Sequence, residues 1–66
     1  MDIILNGEKK QVHEGLNIAE LLTILNIKTE QVAVELNLAI INKNYYENKI
    51  LENEDCVEII SFVGGG

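Results

Sequence analysis

Apolar and polar positions first predict a hairpin. Residues 2–5 (DIIL) form a short apolar run, and Asn6-Gly7 follows it directly. Asn-Gly is a strong signal for a tight two-residue turn, because both positions accept a positive φ. Residues 9–13 then predict the returning strand, and their polar character indicates a position near the edge of a sheet.

The period changes over residues 16–25, which predict a helix. Apolar residues spaced i, i+3, i+4 and i+7 place one stripe on a helical face. That stripe consists of Ile18, Leu21, Leu22 and Leu25. Asn17 is suited to cap the first turn with Glu20 three residues later, and Asn26 to end the helix. Ile24 lies off the centre of the stripe, so we expect it at the margin of the core or exposed.

The second half returns to the alternation of a strand. In residues 32–36, Val32, Val34 and Leu36 share one face. We expect residues 37–39 to turn the chain into a short strand at 39–41, although Leu38 is an unusual turn residue. Residues 42–48 predict a loop or helical turn, and residues 52–55 an acidic turn.

The last predicted strand covers residues 56–63. Its nearly continuous apolar character is typical of a strand that is central in its sheet or covered on both faces. The order β-β-α-β-β-β predicts an α+β fold, in which a mixed sheet of about five strands packs against one main helix. We expect one domain over residues 1–63 and a flexible glycine tail over residues 64–66.

Charge and composition narrow the classes of partner. Eleven acidic residues against five lysines give a formal charge of −6. Such a charge disfavours binding to nucleic acid or to anionic lipid, and a protein with a basic docking face is the better-matched partner. The alternative is that the acidic charge only keeps a small domain soluble. The chain has no apolar run of about 20 residues, and its N-terminus lacks the basic flank of a signal peptide. With a single cysteine, Cys56, it has no internal disulfide, and we expect a cytoplasmic protein.

Side-chain chemistry is sparse. His13 is the one histidine, and Cys56 has no basic neighbour in sequence that would lower its thiol pKa. One cysteine and one histidine do not form a zinc site, and no phosphate-binding motif is present. We therefore expect no catalytic residue, no bound metal and no resident cofactor. Of Tyr45 and Tyr46, at least one is expected to cover the core.

The end of the sequence carries the strongest functional signal. An apolar strand runs without a turn into Gly64, Gly65 and Gly66. Glycine lacks a Cβ, so such a tail fits a passage that excludes other residues, and three residues reach about 10 Å. The interpretation is that Gly64 and Gly65 thread into a partner and that the Gly66 carboxylate reacts there. Phe62 and Val63 are candidate docking residues, of which alternation predicts one to face inward; a frayed end without function is the alternative for the glycines.

Together these features resemble the sulfur-carrier proteins of thiamine biosynthesis, over essentially the whole chain. The residues that carry the resemblance are Asn6-Gly7, 19–22 (AELL), 32–37 (VAVELN), 55–60 (DCVEII) and 62–66 (FVGGG). The chain departs from that family at Asn42-Lys43, where a proline-arginine pair is usual, and at Tyr46, where tryptophan is frequent. The resemblance implies a ubiquitin-like β-grasp fold.

The resemblance also implies a chemistry for Gly66. An adenylyltransferase would use ATP to activate the Gly66 carboxylate, a persulfide donor would convert it to a thiocarboxylate, and thiazole synthase would receive the sulfur. On this hypothesis the domain is a co-substrate and not an enzyme. The small subunit of molybdopterin synthase, a ubiquitin-like modifier joined to lysines, and a non-reactive interaction domain remain alternatives.

Overall fold

The computed structural model describes residues 1–62, which form one mixed sheet and one α-helix. The strands are β1 (Asp2–Leu5), β2 (Glu8–Gln11), β3 (Val32–Leu36), β4 (Ala39–Ile41) and β5 (Cys56–Ser61). Helix α1 (Ile18–Ile24) follows β2, and two short 3₁₀ helices occupy Thr29–Gln31 and Lys43–Tyr45.

The strands lie in the order β2-β1-β5-β3-β4. Strand β5 is central: it runs parallel to β1 and antiparallel to β3. The two hairpins, β1–β2 and β3–β4, form the outer parts of the sheet. This mixed five-stranded sheet with one helix across it is the β-grasp arrangement, so the predicted fold class is confirmed.

Helix α1 begins and ends at the predicted polar residues. The Asn17 side chain accepts a hydrogen bond from the Glu20 backbone, and the Glu20 carboxylate accepts one from the Asn17 backbone. This capping box satisfies two N–H groups that have no partner within the helix. After the helix, Asn26 adopts a φ of 59°, the left-handed conformation that commonly ends helices. Ile24 is exposed, as expected for its place off the stripe.

The core lies between α1 and one face of the sheet. The helix contributes its buried stripe, β3 contributes alternate residues, and β1 and β5 contribute one residue each. These buried residues include Ile3, Ile18, Leu21, Leu22, Val32, Val34, Leu36 and Val57. Leu16 and Leu51 close one side, and Tyr46 is also buried, which confirms that one tyrosine covers the core. Tyr45 is exposed.

Both hairpins use two-residue turns with left-handed backbone. Asn6 and Gly7 have φ values of 48° and 85°, and Asn37 and Leu38 have values of 51° and 75°. Two positive φ values in succession are typical of type I′ turns, whose twist matches that of the strands. The weaker prediction, a turn at Leu38, is therefore confirmed, although an exposed leucine occupies a position that favours glycine or asparagine.

Two predicted strand ends need correction. The second strand covers Glu8–Gln11 instead of 9–13. Gln11 pairs with Asp2, Val12 exchanges backbone hydrogen bonds of 2.8 Å with Met1, and His13 has no strand partner among residues 1–62. The last strand ends at Ser61 instead of residue 63. Ser61 pairs with Val32, the first residue of β3, and the preceding segment is a 3₁₀ helix that provides no further strand partner.

The position of β5 decides between the two explanations for its apolar composition, namely a central place in the sheet or cover on both faces. The strand is central in the sheet, as one of them required. Within residues 1–62 only its helix-side face is covered, since Val57 is buried whereas Ile60 on the opposite face is 46% exposed. Burial among residues 1–62 therefore does not explain the apolar residues on that opposite face.

Candidate functional site

The candidate site is the end of β5 and the surfaces around it. Strand β5 delivers the chain to Phe62, the last residue that the structure describes. Four predicted site residues, Val63, Gly64, Gly65 and Gly66, lie outside the described residues. Their roles in docking, threading and sulfur transfer stay predictions, and the structure shows what they are attached to.

Asn6 fixes the position of β5 near its end. The Ile59 backbone N–H donates to Asn6 Oδ1 at 2.7 Å, and Asn6 Nδ2 donates to the Ile59 carbonyl at 3.4 Å. The Asn6 backbone N–H also donates to the Val57 carbonyl at 2.9 Å. Because β1 turns away at Asn6, its side-chain amide takes the place of the next peptide group of the strand and extends the pairing with β5.

Phe62 lies at the predicted place beside the tail. Its backbone N–H donates to the Gln31 carbonyl at 2.9 Å, which holds the last described residue against the start of β3. Its side chain is 64% exposed. An aromatic ring held at the surface by a fixed backbone is suited to contact a partner protein, and the docking role of Phe62 remains a prediction.

The sheet face opposite α1 carries further exposed apolar residues. Ile60 pairs with Ala33 across β5 and β3, and Ile40 on β4 is 72% exposed. We call this the open sheet face, defined by Ala33, Glu35, Ile40, Glu58 and Ile60. Glu35 and Glu58 are direct cross-strand partners on it, and like charges in that position repel. The face thus combines apolar residues with two carboxylates, and neither carboxylate forms an ion pair within residues 1–62.

A cleft opens on the helix side of the same end of the sheet. It has a volume of about 670 Å³ and lies between the C-terminal end of α1 and the ends of β1 and β5. Leu25, Ile27 and Ile59 are among its apolar walls, whereas Lys28, Gln31 and Ser61 contribute polar groups. Since Ser61 and Gln31 also hold the chain where it leaves the sheet, the cleft lies at the base of the tail.

The remaining candidate side chains are dispersed. His13 is exposed, and its Nδ1 lies 2.9 Å from the Glu14 carbonyl oxygen. Cys56 is an exposed free thiol at the other end of β5. Within residues 1–62, no group of three or more histidine, cysteine or acidic residues is placed to hold a metal ion. Neither His13 nor Cys56 lines the cleft at the end of β5.

Tyr46 is the one described group whose pKa is clearly shifted. Burial raises the pKa of the Tyr46 phenol above its ordinary value of 10.0, and a hydrogen bond with the Val34 backbone acts in the opposite direction. The phenol thus stays neutral inside the core. Its role is structural: it joins the segment after β4 to the hydrophobic core.

Two features of the site were not predicted from the sequence. The Asn6-Gly7 pair predicts a turn, but the contact between Asn6 and Ile59 joins residues 53 positions apart. The cleft depends on how the segment after α1 crosses the sheet, and no local pattern reports that path. The sequence offered one hint of the cleft: the apolar residue Ile27 is followed directly by the charged residue Lys28, and both line it. No helix among residues 1–62 is long and apolar enough to cross a membrane.

Comparisons with known proteins place the chain among small proteins of thiamine biosynthesis. A model of the ThiS family matches residues 3–66. The sulfur carrier protein ThiS of Bacillus subtilis is 41% identical over 63 residues, which are 94% of this chain and 96% of that protein. The crystal structure of the thiamine biosynthesis protein ThiS from Geobacter metallireducens superposes with a TM-score of 0.86 at 35% identity, covering 100% of both chains.

A different relative is much longer. The thiazole synthase of Magnetococcus marinus is 38% identical to this chain over 66 residues. The match covers 100% of this chain and 20% of the thiazole synthase, so this chain spans about a fifth of the length of that relative. A sequence of this type thus occurs within a longer polypeptide that is called a thiazole synthase.

Proposed function

This chain belongs to the ThiS family of sulfur carriers in thiamine biosynthesis, and we propose that it carries the sulfur as a thiocarboxylate formed at the C-terminal carboxylate of Gly66. In the proposal an adenylyltransferase activates this carboxylate with ATP, a persulfide donor supplies sulfur, and thiazole synthase accepts the sulfur. The protein acts as a co-substrate of these enzymes in the cytoplasm.

The placement of β5 is the observation that carries the proposal. The strand that leads into the tail is bonded on both sides, to β1 and to β3, and the Asn6 side chain holds it at Ile59. A partner that binds the folded domain therefore meets the base of the tail at a defined point. From that point, Val63 to Gly66 extend at most about 14 Å, which is enough to enter an active site.

The chemistry suits a terminal carboxylate. An α-carboxyl group has a pKa of about 3.5, so it is ionised at neutral pH and one oxygen attacks the α-phosphorus of ATP while pyrophosphate leaves. A persulfide sulfur then attacks the carbonyl carbon of the acyl-adenylate and AMP leaves. A second thiol reduces the resulting acyl disulfide and releases the thiocarboxylate. Because glycine has no Cβ, the carbonyl carbon of Gly66 is open to attack by the persulfide sulfur.

The surface supports a protein partner with basic groups. The two carboxylates of the open sheet face lie among apolar residues, Glu58 on β5 itself and Glu35 on the neighbouring strand β3. A partner that buries Ile60 and Phe62 while placing arginine or lysine beside these carboxylates relieves their mutual repulsion. The thiazole synthase of Magnetococcus marinus, which contains a stretch similar to this chain, supports thiazole synthase as one of the partners.

Pyrophosphate exchange tests the activation step. Full-length protein, ATP and labelled pyrophosphate are incubated with the adenylyltransferase of the same organism. We expect ATP labelling that depends on the carrier, and its loss when Gly65 and Gly66 are deleted, because the deletion withdraws the carboxylate by about 7 Å. The substitution Leu38→Ser, in an exposed turn far along the sheet, serves as the control that keeps activity. Equal exchange by the shortened chain would exclude Gly66 as the activated residue.

A further inference from the structure

The cleft at the base of the tail has the size and composition of a binding site. Its volume, about 670 Å³, falls in the range of pockets that hold a ligand or several side chains. Its apolar walls come from three separate parts of the fold: Leu25 at the end of α1, Ile27 after it, and Ile59 on β5. All three side chains are only partly buried within residues 1–62, so apolar surface remains open to an occupant.

The charge of the cleft differs from that of the molecule. The chain carries a net charge of −6, yet among residues 1–62 the one charged residue that lines the cleft is Lys28. Within residues 1–62, the Lys28 ammonium forms no ion pair. Its side chain is exposed and makes no helix-capping contact for the 3₁₀ helix that follows. As far as residues 1–62 show, the cleft therefore has an apolar floor and one cation without an ion pair at its rim.

From this pattern we propose that the cleft receives a loop of thiazole synthase that presents an aliphatic side chain next to a carboxylate. The aliphatic group would fill the space between Ile27 and Ile59, and the carboxylate would pair with Lys28. This inference rests on the proposed function, since it assigns a second contact to the partner that receives the tail. Charge complementarity selects the occupant: an isolated lysine in an acidic protein attracts a carboxylate, whereas the surrounding acidic surface repels one.

The location gives the contact a consequence for function. Gln31 and Ser61 line the cleft, and Gln31 also accepts the hydrogen bond from Phe62. A loop seated in the cleft therefore lies within a few residues of the start of the tail. Docking there fixes the orientation in which the domain binds the enzyme. In other orientations the carboxylate of the enzyme loop would face acidic residues of the domain and be repelled.

Charge reversal at Lys28 tests the proposal. The full-length ¹⁵N-labelled protein is titrated with thiazole synthase of the same organism, and the dissociation constant and amide shifts are recorded. We expect the amides of Asn26, Ile27 and Lys28 to shift on binding. We expect Lys28→Glu to weaken binding about tenfold, because it replaces an attraction by a repulsion at a partly desolvated contact. Lys28→Arg, which keeps the charge, should remain within about twofold of the wild type.

A matched control separates a local contact from a general effect of charge. Lys49→Glu makes the same change in net charge at a lysine that does not line the cleft, and we expect less than a twofold change in its dissociation constant. If Lys28→Glu and Lys49→Glu behave alike, or the cleft amides do not shift, the proposal is wrong while the sulfur-carrier function stands. Nuclear Overhauser contacts between the Val63 and Ile27 methyl groups in the free protein would also overturn it, because the chain's own tail would then occupy the cleft.

Failure of the proposed function gives a different result. If wild-type protein forms no complex with thiazole synthase, the last step proposed for the carrier is wrong, and the cleft proposal falls with it. If the complex forms and Lys28→Glu binds as the wild type does, only the cleft proposal is wrong. All of these variants change an exposed side chain, so their folding is checked by the unchanged amide spectrum of the core.

Discussion

Asn6 shows how one residue can serve both a turn and a strand. Its φ of 48° places it in the first position of the β1–β2 turn, which asparagine tolerates better than most residues. Its side-chain amide then bonds the Ile59 backbone in both directions. The sequence predicts the turn because Asn-Gly is a local signal. It does not predict the bond to Ile59, because that contact depends on β5 lying beside β1.

Removing this amide should destabilise the protein. In Asn6→Gly the left-handed backbone remains accessible, but both hydrogen bonds to Ile59 are lost, and the unbonded Ile59 groups are left near the centre of the sheet. We expect a loss of about 1 to 2 kcal/mol in the free energy of unfolding, measured by urea denaturation. Asn26→Gly is the matched control, since Asn26 also has a positive φ but its side chain forms no hydrogen bond within residues 1–62. Equal losses in the two variants would show that the Asn6 amide contributes nothing.

Tyr46 predicts a specific sensitivity to alkaline pH. The folded protein raises the pKa of the Tyr46 phenol above 10.0, so the folded state holds the proton more tightly than the unfolded state. The associated stability is fully present below pH 10.0 and is lost as the pH rises through the folded pKa. In Tyr46→Phe we expect the free energy of unfolding to decline less between about pH 9 and pH 11, as measured by urea denaturation at each pH. Tyr45→Phe, at an exposed position, should follow the wild-type decline; identical profiles for all three proteins would contradict the prediction.

At the scale of helices, strands and turns, the sequence pattern predicts the features that are determined by residues close together in the chain. The alternation in residues 32–36, the capping box of α1 and the Asn-Gly turn each lie within a few positions, and the structure confirms them. The ends of β2 and β5 were wrong because they are set by the lengths of β1 and β3, the strands beside them. The 3₁₀ helix Thr29–Gln31 and the cleft were missed, since both depend on the path from α1 back to the sheet.

The β3–β4 hairpin carries a leucine that its turn does not favour. Leu38 has a φ of 75° and is 92% exposed, so no packing compensates for its backbone conformation. A left-handed conformation costs a residue with a Cβ about 1 to 2 kcal/mol. A glycine at this position avoids that cost, but it loses more conformational entropy on folding, so the net stabilisation is smaller.

Leu38→Gly is therefore expected to stabilise the domain by up to about 1 kcal/mol, measured as a higher urea midpoint. Ala39→Gly, one position later in strand β4, is the control and should destabilise the protein by about 0.5 to 1 kcal/mol. A lower midpoint for Leu38→Gly than for the wild type would mean that the leucine makes contacts in the folded state that its exposure does not suggest.

At the scale of the whole molecule, the fold fixes the end of β5 by hydrogen bonds and places exposed apolar residues and a cleft around it. Strand β5 is central, the open sheet face lies on one side of it, and the cleft lies on the other. The sequence predicted a central position for β5 as one of two possibilities, and the structure confirms it. A partner with a basic docking face, inferred from the net charge, stays a prediction. The roles of Val63 and the three glycines rest on chemistry and on the family resemblance, because those residues lie outside the described part of the structure.

The central claim is that sulfur is attached at the carboxylate of Gly66. The most direct test is mass spectrometry of full-length protein after incubation with the adenylyltransferase of the same organism, ATP, a persulfide donor and the second thiol that releases the thiocarboxylate, with fragmentation to locate the change. Cys56→Ser is the control, because the exposed Cys56 thiol is the other place on the chain where sulfur could be added as a persulfide. The account predicts one oxygen-to-sulfur exchange confined to the fragment that contains Gly66, in both the wild type and Cys56→Ser. An unchanged C-terminal fragment, or sulfur found only at Cys56, would contradict it.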